Sequence, residues 1–135
     1  MLEEPTKILL VEDNDLDVLM IERLMKRLEL PNPLLRATDG EDALEILKPP
    51  NNKPLVTPPF IVLLDINMPR MNGFELLDAL HSDPALFNVP VYILTTSTFI
   101  ADRKQAAEHN VTGYLTKPIE AEQMMQILGV DRKAG

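Results

Sequence analysis

The sequence predicts an α/β fold, a doubly wound five-stranded parallel sheet with helices on both faces. Five short apolar segments alternate with five segments in which apolar residues recur every three or four positions. Alternation of strand and helix is typical of parallel sheets built from βαβ units. The run Phe60–Leu64 is apolar at every position, which indicates a strand covered by helices on both of its faces.

Length, charge and composition narrow the class of protein. The chain of 135 residues is long enough for one core and too short for two. It has no cysteine, and its net charge of −8 disfavours binding to nucleic acid. Neither a signal peptide nor an apolar run approaching the ~20 residues of a membrane span is present. We therefore expect a single-domain cytoplasmic protein that binds neither nucleic acid nor membranes.

Most of the predicted strands end on a polar residue. The third strand stops on a carboxylate, and the turn after it contains Pro69 and Asn72-Gly73, which favour tight turns. The predicted strands, with the residues that follow them, are Lys7–Val11 before Glu12 and Asp13, Leu34–Ala37, Phe60–Leu64 before Asp65, Val89–Leu94 before Thr95, and Gly113–Thr116 before Lys117.

Helical periodicity predicts five helices between and after these strands. We expect the first to be capped by Asn14 or Asp15 and to end at the prolines at 31 and 33, with a buried face formed by Leu16, Leu19, Met20, Leu24 and Leu28. The second begins at a cap around Asp39. The expected buried residues of the others are Ala43, Leu44 and Leu47 in the second, Phe74, Leu77 and Leu80 in the third, and Ala121, Met124, Met125 and Leu128 in the fifth; the fourth spans about 101–109, and Gly129 ends the fifth.

Residues 48–59 interrupt this pattern with five prolines. Proline removes a hydrogen-bond donor and disfavours helix, so we expect a long, extended surface loop. Loops of this length are often functional, but a tolerated insertion is the better explanation here.

Five polar residues, Glu12, Asp13, Asp65, Thr95 and Lys117, are expected at one edge of the sheet because parallel strands share the edge at which they end. Each alone is better explained as a helix cap, a turn residue or a solvated charge. Together, three crowded carboxylates favour a hard cation such as Mg²⁺. A carboxylate beside such an ion can attack a phosphoryl group, and the lysine and threonine can stabilise the developing charge.

Four segments at this edge together resemble the receiver domain of two-component response regulators: Val11–Asn14, Leu64–Gly73, Leu94–Ser97 and Tyr114–Pro118. The resemblance covers about 7–128, and we expect a single receiver domain spanning 1–135 with no output domain. It implies the flavodoxin-like strand order 2-1-3-4-5. Small stand-alone regulators that partner bacteriophytochrome-type kinases are also similar in three segments, Asp83–Leu86, Val89-Pro90 and Leu94–Ser97.

The resemblance implies a phosphoryl acceptor and a metal site. Asp65 would accept a phosphoryl group from the phosphohistidine of a sensor histidine kinase. Asp13, Asp65 and the backbone carbonyl of Asn67 would bind Mg²⁺, and Glu12 would act through a water molecule.

The resemblance also implies a switch. Lys117 would pair with the phosphoryl oxygens, Thr95 would move to hydrogen-bond one of them, and Tyr114 would turn inward as Thr95 moves. The Lys117–Pro118 peptide would be cis, which proline makes accessible.

Three residues beside the expected acceptor bear on how long the phosphoryl group is retained. Thr96 is bulkier than the usual alanine or glycine, and Ser97 and Asn67 are poor general bases, so we expect slow to moderate loss of the phosphoryl group. A haloacid-dehalogenase-like phosphatase is an alternative, but it needs an acid where Asn67 stands. A pseudo-receiver that binds partners without phosphorylation is another, and the intact acidic set argues against it.

The expected partners follow from the resemblance. The chain would either pass its phosphoryl group to a histidine phosphotransfer protein or change a binding surface formed by 101–109, the last strand and the last helix. Pro118 and Ile119 beside the first helix would dock the kinase. An apolar edge of the last helix suggests a homodimer, and His81 and His109 are expected to be surface residues of helices.

Overall fold

The computed structural model describes residues 5–65, 73–95 and 111–129. In these ranges the chain forms β1 (Lys7–Val11), α1 (Asp15–Arg27), β2 (Leu34–Ala37), α2 (Gly40–Leu47), β3 (Phe60–Asp65), α3 (Gly73–His81), β4 (Val91–Thr95), β5 (Gly113–Thr116) and α4 (Ala121–Ile127). The helix predicted at about 101–109 lies outside the described residues.

The five strands form one parallel sheet in the order β2-β1-β3-β4-β5, which confirms the predicted doubly wound fold and its strand order. Val11 of β1 pairs with Leu64 of β3. One residue beyond this pair, Glu12 and Asp65 follow on adjacent strands. The sheet register therefore brings the two carboxylates to the same edge.

Alternation along the strands divides the core into two layers. Leu9 and Val11 of β1 belong to a cluster with residues of α2 and α3, whereas Ile8 and Leu10 belong to a cluster with residues of α1 and α4. Successive strand side chains point to opposite faces, so a sheet buried on both faces needs apolar residues at every position. The continuous apolar runs of β1 and β3 have this arrangement.

The buried face of α1 differs from the predicted one. Val18, Ile21, Leu24 and Met25 are buried, whereas Leu16, Leu19 and Met20 are exposed by 64%, 38% and 46%. Leu28 is half-buried. The helix carries two overlapping apolar stripes at helical spacing, and the sheet packs against the one that the prediction did not choose. Part of the predicted face is therefore available at the surface.

Local signals set the helix ends. The side chain of Asn14 accepts a hydrogen bond from the backbone N–H of Asp17 (3.0 Å), which confirms a cap at the predicted position. Asp39 caps α2 in the same way through Asp42. The prediction that prolines end α1 was wrong, because the helix ends at Arg27 and Glu29 then adopts a positive φ of 53°.

The remaining elements follow the predicted pattern with one shift. Buried residues of the other helices include Ala43, Leu47, Leu77, Leu80 and Met124, and Gly129 has a φ of +70° just after α4. β4 begins at Val91 and not at Val89. Pro90 has no N–H for the sheet, although its carbonyl accepts a hydrogen bond from Val62.

The proline-rich loop 48–59 is exposed along most of its length but is attached to the domain. The Leu55 N–H donates to the carbonyl of Ile46 (3.0 Å), and Val56 is buried. At the start of the loop, Lys48 forms an ion pair with Asp83, which lies in the turn after α3. Within the described residues, none of the helices is both long and apolar enough to cross a membrane.

The ion pair of Lys48 and Asp83 makes the stability of the fold depend on pH in acid. Lys48 and the backbone N–H of Ala85 lower the pKa of the Asp83 carboxyl. A lowered folded-state pKa gives a contribution that is complete above the unfolded value of about 3.9 and is lost as the pH falls through the folded value. We expect Lys48→Met to lower the urea midpoint at neutral pH, with a difference from wild type that shrinks below about pH 4.

The exposed Lys53 in the same loop provides the control, because Lys53→Met removes an equal charge without breaking this pair. A difference between Lys48→Met and wild type that stays constant from neutral pH into acid would contradict the assignment.

Candidate functional site

Three carboxylates meet at the edge where β1 and β3 end. Glu12 is fully buried, Asp65 is 6% exposed, and Asp13 is exposed. One oxygen of each lies within 4.8 Å of one oxygen of each of the others. The sequence predicted this group of acids, and the structure brings it together.

Lys117 reaches this group from the end of β5. Its ammonium lies 2.7 Å from Oε1 of Glu12, 2.9 Å from Oδ2 of Asp17 and 3.5 Å from Oδ2 of Asp65. Its backbone N–H donates to the carbonyl of Thr95 (2.9 Å), and the Lys117–Pro118 peptide is cis. One ammonium is thus shared by three carboxylates of the described residues, which lie just after β1, in α1 and at the end of β3.

Sequence reasoning missed two residues of this site. Asp17, in the first turn of α1, is the third carboxylate in contact with the lysine. Arg36 of β2 donates from Nε to the carbonyl of Glu12 (2.9 Å) and pairs with Asp15 (2.7 Å), so it holds both ends of the turn between β1 and α1. The available signal was positional, because a helix that follows a strand directly starts at the same edge of the sheet.

Burial and crowding shift the ionisation of the site. Burial raises the pKa of Glu12 to about 7, and Asp65 adds to the rise, while the neighbouring Lys117 opposes it. Burial acts to lower the pKa of Lys117, but its hydrogen bonds to Glu12 and Asp17 hold that pKa above the ordinary value. Among the described residues of the site, the Lys117 ammonium is outnumbered by the carboxyl groups of Glu12, Asp13, Asp17 and Asp65.

The donor set fits a hard divalent cation. All three acids offer oxygen ligands, and the described residues of the site include neither histidine nor cysteine. Mg²⁺ binds through one or two carboxylates and keeps several waters. Asp13, which is exposed, and Asp65, which is buried beside it, are the residues that would hold the ion, with Glu12 behind them.

Some of the other predicted site residues lie in the described part of the chain, and the rest lie outside it. Thr95 is the last residue of β4 and is buried, and Tyr114 of β5 is half-buried against the core. Asn67, Thr96 and Ser97 lie outside the described residues, as does His109. His81 is half-buried in the last turn of α3.

A groove of about 440 Å³ adjoins the site between α1 and the turn after β5. Its walls include Met20, Ile21, Pro118 and Ile119, and both Asp17 and Lys117 contribute to it. The lysine therefore lies between the acidic group and this groove. The residues predicted to dock a kinase, Pro118 and Ile119, lie beside α1 as expected.

The fold and this site define the class of protein. A five-stranded parallel sheet with acids at the ends of β1 and β3 and a lysine at the end of β5 is the arrangement expected of receiver domains. The family model described as "Response regulator receiver domain" matches residues 8–129. The chain belongs to this family, whose members act in two-component signalling.

Individual relatives span several kinds of response regulator. The chain is 36% identical to the probable methanogenesis regulatory protein FilR2 of Methanothrix harundinacea, over 90% of this chain and 78% of that protein. Among solved structures, it is similar to the bacteriophytochrome response regulator AtBRR (TM-score 0.75, 32% identity, 96% of each chain). It is also similar to the phosphorylated cyanobacterial phytochrome response regulator RcpA (TM-score 0.74, 32% identity, 93% of this chain and 89% of that one).

The raised pKa of Glu12 predicts how stability varies with pH in the absence of divalent ions. Between its ordinary value of 4.5 and about 7, the folded protein retains a proton that the unfolded chain has lost. The free energy of unfolding therefore decreases as the pH rises through this range. We expect Glu12→Gln to remove about 1–3 kcal/mol of this decrease, at about 1.4 kcal/mol per pKa unit.

Urea unfolding in the presence of EDTA, at about pH 5 and about pH 7.5, measures this effect. Glu22→Gln makes the same substitution at an exposed position of α1 and should leave the pH dependence as in wild type. If the decrease is equally large in Glu12→Gln and wild type, Glu12 is not its source.

Proposed function

We propose that this protein is a phosphorylatable receiver in which Asp65 accepts a phosphoryl group from the phosphohistidine of a sensor histidine kinase, with Mg²⁺ as cofactor. The observation that carries the proposal is the convergence of Glu12, Asp13 and Lys117 on Asp65. An acid at the end of a buried strand, flanked by two further acids and a lysine, suits the capture of a phosphoryl group. The similarity to RcpA, a response regulator in phosphorylated form, adds support.

The proposed reaction is a single displacement at phosphorus. A carboxylate oxygen of Asp65 forms a bond to phosphorus while the bond to the histidine nitrogen breaks, and the imidazole keeps the electron pair of that bond. The product is an acyl phosphate on Asp65. Lys117, 3.5 Å from that carboxylate, is placed to pair with the transferred oxygens.

In the proposed metal site, Asp13, Asp65 and the backbone carbonyl of Asn67 would hold Mg²⁺, and Glu12 would act through water. When bound, the ion would supply positive charge that offsets the negative charge of the transferred group. Arg36 supports the ligands from behind, because it fixes the backbone of Glu12 beside Asp13.

We propose that the switch uses Thr95 and Tyr114. Thr95 would hydrogen-bond a phosphoryl oxygen, and Tyr114 would follow it inward, which would change the surface formed by 101–109, β5 and α4. The backbone N–H of Lys117 donates to the carbonyl of Thr95 and so joins the ends of β4 and β5. This bond supports coupling between Thr95 at the end of β4 and Tyr114 in β5. Thr96, Ser97 and Asn67 would set access to the phosphoryl group and its rate of loss.

The proposed partners are a sensor histidine kinase and, for relay, a histidine phosphotransfer protein. The similarity to AtBRR and RcpA supports a phytochrome-type kinase. We propose that the chain acts as a single receiver domain spanning 1–135. We propose that an apolar edge of α4 supports a homodimer. If the protein sediments as a monomer at high concentration, both with and without a phosphoryl analogue, the homodimer is ruled out.

Incubation with acetyl phosphate and Mg²⁺, followed by intact-protein mass spectrometry, tests the proposed chemistry. We expect one phosphoryl group on the wild-type chain and none on Asp65→Asn, because that amide is a poor nucleophile. Asp13→Asn should raise the Mg²⁺ concentration that labelling requires, because it removes a proposed metal ligand. The matched control is Asp78→Asn on the exposed side of α3, which should be labelled like wild type.

Three results would contradict the proposal. Absence of labelling would favour a binding module that acts without phosphorylation, and labelling that survives Asp65→Asn would place the acceptor elsewhere. Metal-dependent release of phosphate from small esters at many turnovers per minute would favour a phosphohydrolase.

A further inference from the structure

Asp17 contacts the site lysine more closely than the proposed acceptor does. The ammonium of Lys117 lies 2.9 Å from Oδ2 of Asp17 and 3.5 Å from Oδ2 of Asp65. Asp17 does not come from a strand end, unlike the acids predicted to form the site, but from the first turn of α1. The contact between Asp17 and Lys117 is therefore not explained by the predicted metal site.

The backbone N–H of Asp17 takes part in the cap of α1. Its N–H donates to the capping side chain of Asn14 (3.0 Å), which locks the first turn of α1. From this position the carboxylate is 32% exposed, whereas the lysine side chain is only 15% exposed. The lysine is thus held between a buried acid, Glu12, and a partly exposed one on a rigid helix end.

We propose that Asp17 is a positioning residue that holds Lys117 in the unphosphorylated protein and competes with the phosphoryl group for it. The inference rests on the proposed function, since it assumes that a phosphoryl group forms on Asp65. An ammonium has three N–H donors, and here three carboxylates surround it. An anionic group added to Asp65 draws the lysine towards itself at the expense of its contact with Asp17.

The exchange has a consequence at the groove beside α1. Asp17 and Lys117 both line that groove, together with Met20 and Ile119. Transfer of the ammonium towards Asp65 leaves the Asp17 carboxylate without its cation at the edge of the groove. Phosphorylation of Asp65 then adds a negative charge to the surface of the groove. The change needs only the Lys117 side chain to shift, without movement of α1.

Beryllofluoride, a tetrahedral mimic of the phosphoryl group, tests this competition at saturating Mg²⁺. We expect Asp17→Asn to bind it about two- to fivefold more tightly than wild type, the range for loss of one partly exposed ion pair. Glu22→Gln, the same loss of charge at an exposed position of α1, should bind it like wild type. Unchanged or weaker binding by Asp17→Asn would overturn the inference.

A double-mutant cycle separates competition for the lysine from a general effect of negative charge. In the Lys117→Met background, Asp17→Asn should no longer change the affinity, because no ammonium remains to be shared. Equal tightening in both backgrounds would overturn the inference. Lys117→Gln provides a second background if the melting curve shows that Lys117→Met is unfolded.

The wild-type measurement distinguishes the two levels of the argument. A wild-type protein that fails to bind beryllofluoride with Mg²⁺ present would remove the proposed function, and this inference with it. Wild-type binding together with an unaltered Asp17→Asn would remove only the inference.

Discussion

The site depends on one constraint, the need to balance carboxylates that the sheet register forces together. Val11 and Leu64 pair on adjacent strands, so Glu12 and Asp65 follow side by side at a dry edge. Like charges at this separation repel each other, and burial strengthens the repulsion. Lys117 offsets part of it from the end of β5, which lies two strands from β3 in the sheet. The strand order therefore places both the acids and the lysine that offsets their charge at the same edge of the sheet.

The sequence predicted what is determined locally. Strand ends are marked by the change from apolar to charged residues, so Glu12, Asp65 and Lys117 could be identified without a structure. Their convergence followed from parallel topology alone, because all such strands end at one edge. Caps were predictable for the same reason, as Asn14 and Asp39 show, since a cap bonds to backbone within its own turn.

What the sequence could not predict depends on contacts between distant elements. Helix α1 offers two apolar stripes of similar quality, and only the sheet surface decides that Val18 and Ile21 turn inward while Leu16 remains outside. Asp17 and Arg36 were missed because neither ends a strand next to the acids. The start of α1 directly after β1 did place Asp17 at this edge, but spacing along the chain does not encode which distant side chains the two residues contact.

The attachment of the proline-rich loop has a practical consequence. Lys48 at its start pairs with Asp83, and Leu55 donates to the carbonyl of Ile46, while residues 50–54 between these two contacts are exposed. Doubling the length of such a segment costs only about 0.6 kcal/mol in closure entropy. A fluorophore or an epitope tag grafted at 50–54 should therefore leave the fold and the acidic site undisturbed.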